Sequence, residues 1–174
     1  AINTLLEHKG VRTGLITTYG FRDVLQIGRQ DRPVLYDWRA RRAEPLVPRH
    51  LRFEIVERML HTGEILVPLD VKSLEQIIDR LAQSEVDAIA VCLLHSYANA
   101  SHEKLIGDAI VSALPNVMVS LSSDVLPEFK EFDRMSTTTI NAYVGPGTAS
   151  YLGALRDRVI EAGLNSDVHI MQSN

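Results

Sequence analysis

The sequence predicts an α/β fold: βαβ units around a parallel sheet, with one hairpin attached. Three observations carry this. Val86–Leu94 and Val117–Leu121 are apolar runs of strand length, and the residues between them repeat with a helical period. Parallel strands need such a crossover helix, and the connection is right-handed. The composition is that of an ordinary globular domain, with 174 residues, 45% hydrophobic and 23% charged, enough to bury a sizeable core.

The elements follow in order. Ala1–Glu7 reads as a helix stopped by Gly10. Val11–Thr18 contains a short buried strand that ends in the hydroxyls of Thr17 and Thr18. Phe21, Val24, Leu25 and Ile27 then keep helical spacing up to Gly28. From Arg29 to Pro48, prolines and arginines occur with little periodicity, so this is a long irregular excursion of the kind that is commonly functional. Leu51–Arg58 alternates Leu51, Phe53 and Ile55 against Arg52 and Glu54, predicting a strand with one wet face. Thr62-Gly63-Glu64 turns it into a second strand, Ile65–Val67, as a hairpin.

Asp70 N-caps a helix whose face is Leu74, Ile77, Ile78 and Leu81, closing at Ser84-Glu85. After the strand Val86–Leu94, Asn99 or Ser101 caps a helix that buries Leu105, Ile106, Ala109, Ile110 and Ala113. A further helix is expected from about Glu128 to Val144, broken by Gly145-Pro146-Gly147. The last helix, Ala149–Ala162, places Gly163 at C′. A strand at Val168–Met171 leads into Gln172-Ser173-Asn174 and looks cut rather than finished.

Charge and composition narrow the function. A net charge of −4 gives no electrostatic case for nucleic acid or an anionic membrane. The local run Arg39, Arg41, Arg42 and Arg49 has no nucleic-acid motif beside it and reads as a solvated loop. Cys92 is the only cysteine and sits in an apolar strand, as an inert packing group. No run reaches the roughly 20 apolar residues of a membrane span, and no signal peptide is visible, so a cytoplasmic protein is expected.

Open α/β sheets place ligands at the C-terminal ends of their strands, and His95-Ser96-Tyr97 stands at such an end with His102-Glu103 just beyond. A loop of this length can bring His95 and His102 together for general-base or metal chemistry. The plainer alternative has His95 satisfying backbone groups and His102-Glu103 in an exposed first turn. Arg22 with Asp23, and Arg29, offer guanidinium forks for carboxylate or phosphate, or simply surface ion pairs. Ser122-Ser123-Asp124 reads as capping or turn, Arg134 with Glu128, Glu131 and Asp133 as a solvated helical face, and Asn141 as a residue able to reach a cleft.

Several long motifs resemble one family. Asn3–Gly10, Leu15–Gln30, Leu94–Asn99 with His102-Glu103, Val119–Ser123, Ser136-Thr137-Thr138, Asn141–Pro146 and Met171–Asn174 are similar, in order, to the hydantoinase A family. That family includes ATP-dependent N-methylhydantoinase, 5-oxoprolinase and the acetone carboxylase beta subunits. The resemblance implies an actin-like ATPase architecture of the hexokinase and Hsp70 kind. It also implies a hydrolase in which ATP, with magnesium, phosphorylates a cyclic amide or carbonyl oxygen before the ring opens. A hydantoinase B-type subunit or domain is the implied partner, and a cyclic amide or ketone the implied small-molecule substrate. Under the reading of an ATP-dependent amidohydrolase, His95, Ser96 and His102 are the expected catalytic residues and Arg22, Asp23, Arg29 and Asn141 the expected substrate side; no metal ligand is assigned.

The same resemblance sets expectations about extent. The family's Asp-x-Gly-Gly-Thr phosphate loop and its later glycines have no counterpart here, so the ATP and magnesium motifs are expected outside the chain. Residues 1–124 then correspond to the C-terminal part of the family's N-terminal domain, and residues 125–174 to the start of the next. The expected entity is an internal piece, inactive alone, whose unpaired sheet edges favour homo-oligomers. The alternative is a non-catalytic interaction domain of a carboxylase-like complex, docking through residues 29–48. A small metal-dependent hydrolase using His95 and His102 is the third reading.

Overall fold

The structure, a computed structural model, describes residues 2–31, 34–40, 43–163 and 169. In chain order the elements are α1 (Ile2–Leu6), β1 (Thr13–Thr18), α2 (Val24–Ile27), a 3-10 turn (Arg49–Leu51), β2 (Arg52–Ile55), β3 (Arg58–Met59) and β4 (Ile65–Val67). They continue with α3 (Val71–Gln83), β5 (Ala88–Cys92), α4 (Ser101–Ala113), β6 (Met118–Leu121), α5 (Ser122–Val125) and α6 (Glu131–Glu161). The predicted strand at 168–171 falls outside the described residues.

The predicted α/β architecture is present. A four-stranded sheet runs β2-β1-β5-β6 with every neighbouring pair parallel. Ile16 registers against Phe53 on one side and Val91 on the other. All residues of β1 and β5 are buried, as expected for parallel strands covered on both faces. Two helical groups provide the cover: α3 touches α4, while α1 and α2 touch α6. Asp70 caps α3 as expected, accepting from the amides of Lys72 and Ser73.

Several expectations are corrected. Residues 51–58 do not form one hairpin strand. Leu51 lies in the 3-10 turn, and β2 joins the main sheet beside β1. Only Arg58–Met59 pair with β4. The wet face is wrong at Arg52, which is buried and donates from Nε to the Val47 carbonyl. In α4 the buried residues include His102, Glu103 and Gly107, whereas Leu105 and Ala113 are exposed. The apolar count there misjudges the face because the helix turns its polar first turn toward the sheet.

The Gly145-Pro146-Gly147 break does not occur. Helix α6 is continuous for 31 residues. Proline removes the amide that would donate to the Ala142 carbonyl, yet packing outweighs the loss. Met135, Thr138, Thr139, Ala142 and Tyr143 are buried on the sheet side. Gly145 allows close approach to Met118, whose thioether end occupies the place of a Cβ. Gly163 (φ 82°) follows the helix end, as predicted.

Candidate functional site

The site is the C-terminal edge of the parallel sheet, where β1, β2, β5 and β6 deliver Thr18, Glu57, Leu93–Ser96 and Ser122 side by side. Two buried carboxylates organise it. Glu57 accepts from the Thr18 hydroxyl and from Nδ1 of His102, the latter at 2.8 Å. Glu103 accepts from the Leu93 amide (2.9 Å), the Ser122 hydroxyl (2.6 Å) and the Ser123 amide (2.8 Å). Thr18 in turn accepts from the Leu94 amide, and Ser96 and Ser122 share a hydroxyl contact at 3.0 Å. Buried polar groups persist only when bonded, and here each carboxylate ties adjacent strand ends to α4.

Ser96 and His102 are therefore buried members of this network. His102 is not brought to His95: its Nδ1 meets Glu57, while His95 Nδ1 lies 3.3 Å from the Tyr97 hydroxyl. His95 is half-buried and its backbone is left-handed, φ 57°. Burial holds its pKa below the ordinary histidine value. Glu131 opposes this, while Arg134, His61 and Arg58 add to it. The His61 ring, from the hairpin turn, packs edge-on at 6.4 Å from the His95 ring centre.

Arg134, expected on a solvated helical face, is instead 1% exposed. It donates to the carbonyls of Glu128 (2.6 Å) and Leu93 (2.7 Å), and its guanidinium sits 5.5 Å from the Tyr97 ring centre. This locks the start of α6 to the end of β5.

The substrate-side candidates are paired. Asp23 takes a bidentate pair from Arg49 (3.0 and 3.1 Å) with Arg52 at 3.7 Å, and the Arg49 bond chiefly lowers its carboxyl pKa. Arg22 donates to the Arg52 carbonyl and stands 3.8 Å from Glu54. Arg29 pairs with Asp133. Asn141 donates to Ser120 at 3.0 Å, joining α6 to β6. Glu57, Arg58 and His61 were missed by sequence reasoning. The signal for them lay in strand order, since only β2 beside β1 brings residues 57–61 to this edge.

Several amides at this edge are engaged within the protein. Gly20 donates to Glu54, Leu93 and Ser123 to Glu103, and Leu94 to Thr18. Among the described residues no group of three His, Cys, Asp or Glu is placed to hold a metal, which removes support from the small metal-dependent hydrolase reading. No helix among them is long and apolar enough to cross a membrane. An apolar cleft of about 400 Å³ lies elsewhere, against Leu25, Leu46, Phe132 and Ile140.

The profile of the hydantoinase/oxoprolinase N-terminal region matches residues 1–114. Caprolactamase subunit alpha of Pseudomonas jessenii is 35% identical over 176 residues, spanning 100% of this chain and 25% of that subunit. The crystal structure of ATP-dependent caprolactamase from that organism superposes with a TM-score of 0.84 at 34% identity, over 96% of this chain and 24% of the other. The 5-oxoprolinase of Saccharomyces cerevisiae is 32% identical over 205 residues, 100% of this chain and 15% of the enzyme. The nucleotide-free structure of acetone carboxylase gives a TM-score of 0.86 at 27% identity, over 98% of this chain and 26% of that one. The chain thus spans about a quarter or less of the length of these relatives.

Proposed function

Because the chain belongs to the hydantoinase/oxoprolinase family, we propose that it forms the substrate side of an ATP-dependent enzyme that opens a cyclic amide of the hydantoin or 5-oxoproline type. The observation that carries this is the arrangement at the sheet edge. His95 is held at a strand end by a left-handed backbone, above a buried carboxylate and hydroxyl network that fixes its surroundings. In this reading His95 is the reacting group, while Ser96 and His102 position the strand ends. Arg22, Asp23, Arg29 and Asn141 keep the approach to the edge in shape through the pairs described.

ATP, with magnesium, supplies the phosphorylation of the amide oxygen that makes the ring an electrophile. In this proposal the nucleotide is held elsewhere in the enzyme, and the isolated chain is inactive. The boundary near residue 124, an actin-like frame, a hydantoinase B-type partner, homo-oligomerisation and a cytoplasmic setting belong to the same proposal. The test is ring opening of hydantoin, 5-oxoproline and caprolactam by the whole protein, with and without ATP. Opening of at least one that requires ATP supports the reading; opening that proceeds equally without ATP contradicts it.

A second reading has one observation in its favour. Tyr36 and Trp38 in the excursion are 95% and 87% exposed, with Val34 and Leu35 also open. Exposed aromatic side chains, Trp38 with the Arg39 guanidinium over its ring at 4.8 Å, suit a protein interface, as an interaction domain of a carboxylase-like complex requires. Under that reading His95→Ala retains partner binding and Trp38→Ala loses it.

A further inference from the structure

The arginines near the sheet edge fall into two groups. Arg22, Arg29, Arg49 and Arg52 each stand within ion-pair distance of a carboxylate. Arg58 and Arg134 do not; among the described residues neither has a carboxylate within ion-pair distance. Each instead lies over an aromatic ring, Arg58 at 5.2 Å from Phe21 and Arg134 at 5.5 Å from Tyr97. The His61 ring lies edge-on to His95 at 6.4 Å and Tyr97 links His95 to Arg134, while the charges of Arg134 and Arg58 disfavour protonation of His95 and that of Glu131 favours it. The charged side chains that act on His95 are thus two guanidiniums and one carboxylate. Arg134 also retains a buried Nε with no partner.

The backbone brings these groups together from three elements. Arg58 and His61 come from β3 and the hairpin turn, His95 and Tyr97 from the end of β5, and Arg134 and Glu131 from the first turn of α6. That first turn adds the partial positive charge of a helix N-terminus. The strain of a left-handed His95 is held by the Ala98 and Asn99 amides, which donate to its carbonyl. If the Tyr97 hydroxyl donates to Nδ1, the hydrogen of the neutral ring sits on Nε2 and is available to an acceptor.

We propose that Arg58, His61 and His95, backed by Arg134, bind an oxyanion of the substrate, a carboxylate or a phosphoryl group, at this edge. The inference rests on the reading of the edge as the substrate side and names the chemical group it takes. Side chains rather than backbone amides make the site, which separates it from a nucleotide phosphate cradle. Both anionic groups arise when a cyclic amide is phosphorylated and opened, and a planar guanidinium suits either. Protonation of His95 adds a positive charge to the site, so an anion of constant charge binds more tightly at low pH. Glu131 works against the anion, and the paired Arg22, Arg29, Arg49 and Arg52 do not contribute to it.

The test is a titration of the chain, with isotopically labelled histidine, by inorganic phosphate and separately by acetate at constant ionic strength. The histidine resonances are followed by NMR. Saturable shifts of both His61 and His95 are expected, and the affinity for acetate, which stays anionic from pH 8 to pH 6, rises as the pH falls. Arg58→Gln should weaken binding about tenfold, the loss of one charge-assisted hydrogen bond, with amide dispersion unchanged. His61→Gln, on an exposed turn, gives the same direction without touching the core. Response to phosphate alone assigns a phosphoryl group, and response to acetate alone a carboxylate. No saturable shift at His95 with either anion, or unchanged affinity in both variants, overturns the proposal. ATP-dependent turnover together with that negative result would leave the enzyme reading standing and remove only the oxyanion site.

Discussion

The Nδ1 of His102 lies 2.8 Å from Oε2 of Glu57, with both side chains buried. The pair joins the end of β2 to the first turn of α4, elements 45 residues apart in sequence. The other oxygen of Glu57 holds Thr18 at the end of β1. One carboxylate thus ties together three of the pieces that build the sheet edge.

Removing one partner of such a buried pair strands the other. Glu57→Ala and His102→Ala should each lower the unfolding free energy by about 3 kcal/mol. The double variant should lose less than the sum, since both report one interaction. Chemical denaturation of the four proteins checks this, and strictly additive losses would show that the two side chains are not coupled.

Gly10 and Gly145 are both sites of close packing, but with different neighbours. A Cβ at Gly10 would overlap the ring of Tyr143, whereas at Gly145 it would meet the flexible thioether end of Met118. Gly10→Ala should cost about 1–3 kcal/mol through overpacking. Gly145→Ala should cost less, because Met118 can move aside. Equal losses in thermal melts would contradict that ordering.

His95 gives the protein a defined acid sensitivity. Its folded pKa lies below the usual 6.5, chiefly through burial. The unfolded chain therefore takes up the proton first as pH falls. Stability contributed by keeping this ring neutral is complete above about 6.5 and declines as pH drops through the lower folded value. His95→Gln should flatten that part of the stability profile between pH 7.5 and 5, and an unchanged slope in the variant would count against the burial argument.

Pro146 interrupts hydrogen bonding inside a continuous helix. Pro146→Ala restores an amide donor to the Ala142 carbonyl and should raise stability by about 1–3 kcal/mol. Amide exchange at residue 146 then reports whether the restored bond is protected, and a destabilised variant would mean that the helix depends on its proline.

Much of this fold is legible in the residues themselves. The apolar runs at Leu15–Thr18 and Val86–Leu94, the Asp70 cap and the helical period of Leu74, Ile77 and Leu81 each reflect local physics. The misreadings share another cause. Arg52 and Arg134 look like surface charges because their carbonyl partners, on Val47 and on Glu128 and Leu93, come together only in the fold. Pro146 looks like a stop because the sheet on which α6 packs is invisible to a local pattern. At the site, His95 could be seen from its place at a strand end. Arg58 and His61 could not, since their approach depends on β2 crossing to pair with β1.

The central claim, that His95 acts on the substrate in an ATP-dependent ring opening, is tested most directly by His95→Ala in the whole protein. The measurement is ATP-dependent turnover of a cyclic amide, beside the thermal melt and the KM for the amide. The account predicts a fall in kcat of about 100-fold or more, as for loss of a proton-transferring side chain, with the melt essentially retained. Turnover equal to that of the unmodified protein would contradict it, and would move the role of this edge from chemistry to assembly.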